Sequence, residues 1–264
     1  MRIFIITMDD PIETKEFIKG ILDERENSII GLAVPSGDRL TLSKGKSKNV
    51  YILSLLLILG PFNFLKNVRI NLLHRIRKIG FRFDICRDPT ILGYAKDKGI
   101  PIFKIRTPNS QSFRQQLIAL RPDVIINQSQ SILKKELLNI PSIGVINRHN
   151  ALLPKNRGRL TPFWVLYRRE KETGVSIHFV TEGIDAGDII VQERIQLDVK
   201  ESFNSLVKRN YQIAPKAMRK ALDLLESGNY CLIKNDDNDA TYNSVPTLKD
   251  AVIYRIHRFL RFMK

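Results

Sequence analysis

The most constraining feature of this chain is an alternation of two apolar periods. Short β-branched runs stand at 3–6, 29–34, 102–105, 124–126 and 143–146, and helical patterns fill 12–24, 90–98, 111–119 and 133–138 between them. Runs that are apolar on both faces suit strands covered from both sides, the environment of a parallel sheet. Parallel neighbours cannot be joined by a tight hairpin, so each needs a crossover, and the helices supply it. The expected fold is therefore α/β, Rossmann-like, with a mostly parallel central sheet. The segment "TGVSIHFVTEGIDAGDIIVQERIQL" (173–197) adds two alternating runs around a turn rich in Gly and Asp, which predicts strands in mixed orientation. "SFNSLVKRNYQIAPKAMRKALDLLESGN" then carries apolar residues at helical spacing and ends on Gly228-Asn229, a C-cap signature.

Two stretches break the alternation. More than fifty residues separate Pro35 from Thr90, where a crossover needs far fewer, so a helical insertion after the second strand is expected over about 37–89. Within it "VYILSLLLILGPFNFL" (50–65) is strongly apolar but is interrupted by Gly60-Pro61, and so falls short of the roughly 20 residues of a bilayer span. In the following "KNVRINLLHRIRKIGFRF", Leu65, Val68, Leu72, Ile76 and Ile79 share one helical face, while Lys66, Arg69, Arg75, Arg77 and Lys78 supply charge. The C-terminal "DAVIYRIHRFLRFMK" repeats the design, with Val252, Ile253, Ile256, Phe259, Leu260 and Met263 on one face and Arg255, Arg258 and Arg261 along its border. Packing on the domain or on a dimer mate is the default for such helices. The alternative is attachment to an anionic membrane surface.

The charge is unusual: 43 Lys and Arg against 27 Asp and Glu leave +16, which favours anionic partners such as nucleic acid, lipid headgroups or phosphorylated substrates. Only Cys86 and Cys231 occur, without CxxC spacing, so neither a disulfide framework nor a zinc ribbon is suggested. The N-terminal apolar run is too brief for a signal peptide and reads as a first strand. These features predict a cytoplasmic protein, with the inner face of the membrane as its place if the basic helices attach there. The 264 residues suffice for one large α/β domain with an appendage.

Chemistry concentrates in "GVINRHNALLPKNRG" (144–158), where an apolar strand ends in Asn147 and His149. Residues two apart project from the same face of a strand, so the amide and the imidazole stand side by side at its carboxyl end. In open α/β sheets that end is where ligands bind. An amide donating to a developing oxyanion beside a proton-shuttling imidazole is minimal equipment for acyl transfer, although a His near a strand end also serves structure alone. A third participant would be an acid that orients the ring. Spacing offers Asp185 and Asp188 in the Gly-rich turn and does not decide between them. Arg148, out of phase with the pair, is expected on the opposite face and His178 as an ordinary strand residue. Phe163 and Trp164 are expected in the core, or lining a small-ligand pocket.

The run Asn147, His149, Leu152-Leu153-Pro154, Arg157-Gly158, then Thr173-Gly174-Val175 and Asp185 resembles the folate-dependent formyltransferases. That group contains glycinamide ribonucleotide transformylase, methionyl-tRNA formyltransferase and the sugar N-formyltransferases. The resemblance covers roughly 95–200 and implies a Rossmann-like formyltransferase catalytic domain over 1–228, followed by a C-terminal extension over 229–264. It implies N10-formyltetrahydrofolate as co-substrate, a primary amine as acceptor and no metal. Asn147, His149 and Asp185 become the catalytic set, with Asn147 and protonated His149 stabilising the oxyanion and Asp185 holding the ring and helping the amine proton leave. Gln130, Ser131, Ile132 and Leu133 would contact the pterin together with Ile184, and the apolar run Ala151, Leu152, Leu153 and Pro154 would wall its slot. Ser176 corresponds to a small hydroxyl residue near the site.

Members acting on tRNA carry a further β-barrel domain for which about sixty-five residues after Asp198 offer little room. The expected acceptor is therefore an amino sugar or similar small amine, phosphorylated or nucleotide-linked, with tRNA the lesser alternative. Hydrolysis of the formyl-folate by water would use the same residues. A non-enzymatic alternative is a membrane-peripheral or partner-binding protein on a degenerate transferase fold, and a homodimer is compatible with either.

Overall fold

The computed structural model describes residues 1–36 and 47–262, without the side chains of residues 261 and 262. Residues 37–46 of the expected insertion, Met263 and the Arg261 side chain thus lie outside the described residues. The chain opens with β1 (Ile3–Thr7), α1 (Thr14–Glu24) and β2 (Ile29–Pro35), then the inserted helices α2 (Lys48–Leu59) and α3 (Pro61–Arg82), then α4 (Ile91–Asp97) and β3 (Ile102–Ile105). A second run comprises α5 (Gln111–Leu120), β4 (Val124–Gln128), α6 (Lys135–Leu138) and β5 (Gly144–His149). After it come β6 (Arg157–Gly158), α7 (Thr161–Tyr167), β7 (Glu172–Phe179), β8 (Ile189–Gln196), α8 (Phe203–Ser227), β9 (Tyr242–Asn243) and α9 (Leu248–Phe262).

Among the described residues seven strands form one sheet in the order β3-β2-β1-β4-β5-β7-β8. The first five are parallel, and β7 and β8 add antiparallel at one edge, as the alternating runs predicted. Every side chain of β1 is buried, with Ile3 and Ile5 packing under α1, α4 and α8 on one face and Phe4 and Ile6 under α5 and α6 on the other. Each such Ile or Phe, fully buried, contributes roughly 1.5–3 kcal/mol, which is why a two-sided apolar run is a reliable mark of a central strand. Chain direction across the sheet reverses between β1 and β4, and this switch point is where open α/β sheets admit ligands.

The insertion is helical, and Gly60 makes its corner. At φ +80° this residue ends α2, donating to the Leu56 carbonyl, and Pro61 starts α3, so the two helices are bent by 120°. Ile58 of α2 is buried with Phe163 and Leu166 of α7, Leu206 of α8, and Ala251 and Tyr254 of α9. Of the default expectation, packing on the domain or on a dimer mate, the first half is met only in part, by α9. No residue of α3 is buried. α9 packs through Ala251 and Tyr254, which match the aromatic surface of α7, while Val252, Ile256, Phe259 and Leu260 remain exposed.

Candidate active site

β5 brings Asn147 and His149 to the carboxyl edge of the parallel strands, where antiparallel pairing with β7 sets Asn147 opposite His178 and His149 opposite Ser176. The turn after β7 then carries Asp185 back over the strand ends in a left-handed conformation, φ 48°. Its Oδ2 accepts the Gly158 N–H at 2.8 Å and lies 3.5 Å from His149 Nδ1, while Oδ1 lies 3.7 Å from His178 Nε2. Burial raises the Asp185 pKa, but the two imidazoles, the Gly158 N–H and Arg157 outweigh it, so the group stays ionised below the usual carboxylate range. Asp185, not Asp188, is therefore the acid that faces the ring. Asp188 instead accepts the Asn235 N–H at 3.2 Å.

Hydrogen-bond roles fix the two rings. His149 Nε2 lies 2.8 Å from the Asn156 carbonyl, an acceptor only, so that nitrogen carries a hydrogen and Nδ1 turns to Asp185. His178 Nδ1 donates to the Phe179 carbonyl at 2.7 Å. Burial pushes the His178 pKa down to about 4 despite the Asp185 charge, so its Nε2 presents a lone pair. Asn147 Nδ2 donates towards it at 3.4 Å, and Asn147 Oδ1 accepts Gln128 Nε2 at 2.7 Å. The amide is held at both ends. Its second N–H is left for a ligand oxygen.

Two cavities flank this set, and both are lined by Asn147, Gly158, Leu160 and Asp185. The first, about 890 Å³, also takes His149, Asp10 and Glu13 from the segment after β1, Lys66 from α3, and Lys208 and Tyr211 from α8. Burial, with Asp10 beside it, pushes the Glu13 carboxyl up to about 7, and Arg148 only partly opposes this. The second cavity, about 710 Å³, is walled by Tyr51, Ile132, Leu133, Leu160, Val180 and Ile184, with Gln130, Ser131 and Thr181 at its polar edge. Ile132 and Ile184 are 78% and 59% exposed, apolar side chains held at the rim of a slot.

The predicted residues divide between these places. Gln130, Ser131, Ile132, Leu133 and Ile184 line the second cavity, whereas Ala151, Leu152, Leu153 and Pro154 line neither. The Ser176 hydroxyl donates to the Ala151 carbonyl (2.7 Å) and accepts the Leu153 N–H (3.1 Å), and Gln192 donates to the Leu153 carbonyl (2.8 Å). These bonds draw the apolar run inward, burying Ala151 and Leu153. The run anchors the loop to β7 and β8; it does not wall a slot. Phe163 is buried in the core and Trp164 donates to the Ser244 carbonyl at 2.8 Å, so neither lines a cavity.

Other residues escaped the sequence reading. His178 is part of the site because its strand pairs in register with Asn147, a relation that spacing along one strand does not show. Arg148 lines the first cavity, stacked between Phe17 and Tyr211 and bonded to Gln128 (3.0 Å), Asn150 (2.9 Å) and the Tyr211 hydroxyl (3.0 Å). Asn235 donates to the carbonyls of Asp185 and Gly187 at 2.8 Å and thereby clamps the Asp185 turn. Arg157, fully buried, holds Asn235 and Asp237 in turn.

Fold and site together define the class, a doubly wound α/β protein whose Asn, His and Asp side chains meet at the carboxyl end of the parallel strands, between two cavities. Within that class the chain belongs to the formyl transferase family, whose model matches residues 82–222. A methionyl-tRNA formyltransferase of Kosmotoga olearia is 33% identical over 160 residues, 60% of this chain and 51% of that protein. The chain thus spans about half the length of the curated relatives it matches. An N-formyltransferase of Helicobacter canadensis, solved with folinic acid and dTDP-3-aminofucose, superposes with a TM-score of 0.61 at 16% identity, covering 98% of this chain and 81% of that one. Glycinamide ribonucleotide transformylase 1 of Symbiobacterium toebii gives a TM-score of 0.59 at 17% identity, covering 89% and 92%.

Proposed function

We propose that this protein moves a formyl group from N10-formyltetrahydrofolate to the primary amine of a small, phosphate-bearing amino sugar. The observation that carries this reading is the meeting of two cavities on Asn147 and Asp185, as a two-substrate transfer requires. The second cavity fits the folate: its apolar walls and exposed Ile132 and Ile184 suit a flat ring, and the polar edge at Gln130 and Ser131 suits the ring's donors and acceptors. The folate supplies the formyl carbon. The first cavity suits the acceptor, since Asp10 and Glu13 match an ammonium and Lys66, Arg148 and Lys208 match phosphate.

In this reading Asn147 donates its second amide N–H to the oxygen of the carbon under attack, where negative charge develops, and the His149 ring, held between the Asn156 carbonyl and Asp185, stands beside the same centre. As the bond from the amine to the formyl carbon forms, the carbon–N10 bond breaks, and water held at Asp185 relays the proton that the amine releases to the leaving N10. His178 positions Asn147 and stays neutral.

The curated relatives act on methionyl-tRNA by name, and a tRNA acceptor is the second reading that their 33% identity favours. The test is incubation of the purified chain with formyl-folate and a panel of amino-sugar phosphates, amino-sugar nucleotides and methionyl-tRNA, read by mass spectrometry. A gain of one CO on an amino sugar is expected. Formylation of methionyl-tRNA alone would replace that acceptor, and formate release without any formylated amine would replace transfer by hydrolysis.

A further inference from the structure

The outer face of α3 has no role in formyl transfer as described. The inner side of this helix reaches the body of the protein: Asn63, Lys66, Asn67 and Ile70 line the first cavity, and His74 and Lys78 reach Asp9 at 3.2 and 2.6 Å. At about 100° per residue the opposite side carries Phe62, Leu65, Leu72, Ile76 and Ile79, continued by Phe83. These side chains are 53–88% exposed. Arg75 and Arg82 border the strip on one side, Lys66 and Arg77 on the other, and the exposed Arg69 stands within it between Ile76 and Phe62. From residue 48 to residue 82 the chain has seven Lys and Arg and no Asp or Glu.

α9 continues the design beside it. Val252, Ile256, Phe259 and Leu260 are exposed, and the Arg255 guanidinium lies 3.3 Å from the point where a Cβ on Gly60 would stand, at the corner between α2 and α3. An exposed apolar strip bordered by bases and devoid of acids complements an anionic bilayer, with side chains at the acyl boundary and guanidinium groups at the phosphates. A second copy of the chain is a poorer match, because a two-fold contact would set these bases against their own equivalents. Among the described residues no single helix is long and apolar enough to cross a membrane, and α2 and α3 pass that test only together, across their 120° bend.

We infer that α3 and α9 lay this chain on an anionic phospholipid surface, and that the amine it formylates is borne by a membrane-anchored phosphate delivered to the cavity that α3 walls. The second half rests on the formyl-transfer reading. Lys66 joins the two functions, since it borders the lipid-facing strip and lines the cavity that receives the acceptor.

The experiment is flotation of the full chain with vesicles of phosphatidylcholine alone or mixed with phosphatidylglycerol, at low and high salt. Binding should require phosphatidylglycerol and weaken with salt. The exposed-face variants Leu72→Glu and Ile76→Glu should weaken it at least about tenfold while melting like the parent and formylating a water-soluble amino-sugar phosphate at the parent rate. Absence from every vesicle fraction overturns the surface. So does a dimer, seen by sedimentation velocity, that either substitution disperses without any vesicle binding. For the acceptor, an amino sugar on a lipid phosphate in anionic vesicles should be formylated faster than its soluble analogue, and the two variants should lose that advantage. Equal rates overturn the lipid-borne acceptor. Formylation of neither amine refutes transfer itself and leaves the vesicle result standing.

Discussion

Asn147 keeps one orientation because Gln128 holds its oxygen and the neutral His178 ring faces its nitrogen. Replacing Asn147, His149 or Asp185 with Ala is expected to lower kcat by about 10²–10⁴ without unfolding the chain, measured as single-turnover formyl transfer beside a thermal melt. His178→Ala is expected to lower kcat by more than it raises KM for the folate, since the residue holds Asn147 as well as lining the second cavity. A loss confined to KM would contradict that. Glu13 gives a pH test of stability. Its carboxyl is held at about 7 against an ordinary 4.5, so the folded state binds its proton more tightly than the unfolded state. Stability therefore falls as pH rises from about 4.5 to about 7, by up to roughly 3 kcal/mol, and Glu13→Gln should remove most of that slope in urea melts. Asn147 and His149 were legible in the sequence because strand alternation puts residues two apart on one face, whereas the Gly-rich turn offered Asp185 and Asp188 alike and only the family resemblance chose between them. His178 and Arg148 were not legible. One depends on register with a neighbouring strand, and the other is long enough to curl from its own face into a cavity.

At the scale of elements, two short strands secure the site from a distance. β6 pairs with β9, joining Arg157 to Tyr242 and Gly158 to Asn243, and Gly158 also gives its N–H to Asp185. Gly158 stands at φ +96°, and a Cβ there would lie 2.2 Å from the Asn243 carbonyl oxygen. Gly158→Ala should therefore cost about 2–4 kcal/mol in denaturant melts and lower activity by releasing Asp185. An unchanged melt would mean that β9 is not needed to hold β6. The parallel strands and their crossover helices were readable because two-sided burial leaves a continuous apolar run. The run 151–154 misled for the same reason. Apolar character showed that the segment is covered but not by what, and the cover is β7 and β8 drawn in by Ser176 and Gln192.

Across the whole molecule, function separates into a sheet that places the reacting groups, an insertion that closes one cavity, and an outer surface of bases and apolar side chains. The helical pattern of the insertion was plain in the sequence, but which of its faces met protein was not, because α3 is apolar on the side turned away from the core. All of this depends on the folate and the amine approaching Asn147 and Asp185 from opposite cavities. A crystal structure with 5-formyltetrahydrofolate and an amino-sugar nucleotide tests that arrangement directly. The account predicts the pterin between Ile132 and Ile184, the amine in the cavity of Asp10 and Glu13, and the formyl group beside Asn147. A folate seated among Lys66, Arg148 and Tyr211, or a formyl group remote from Asn147 and His149, would contradict it.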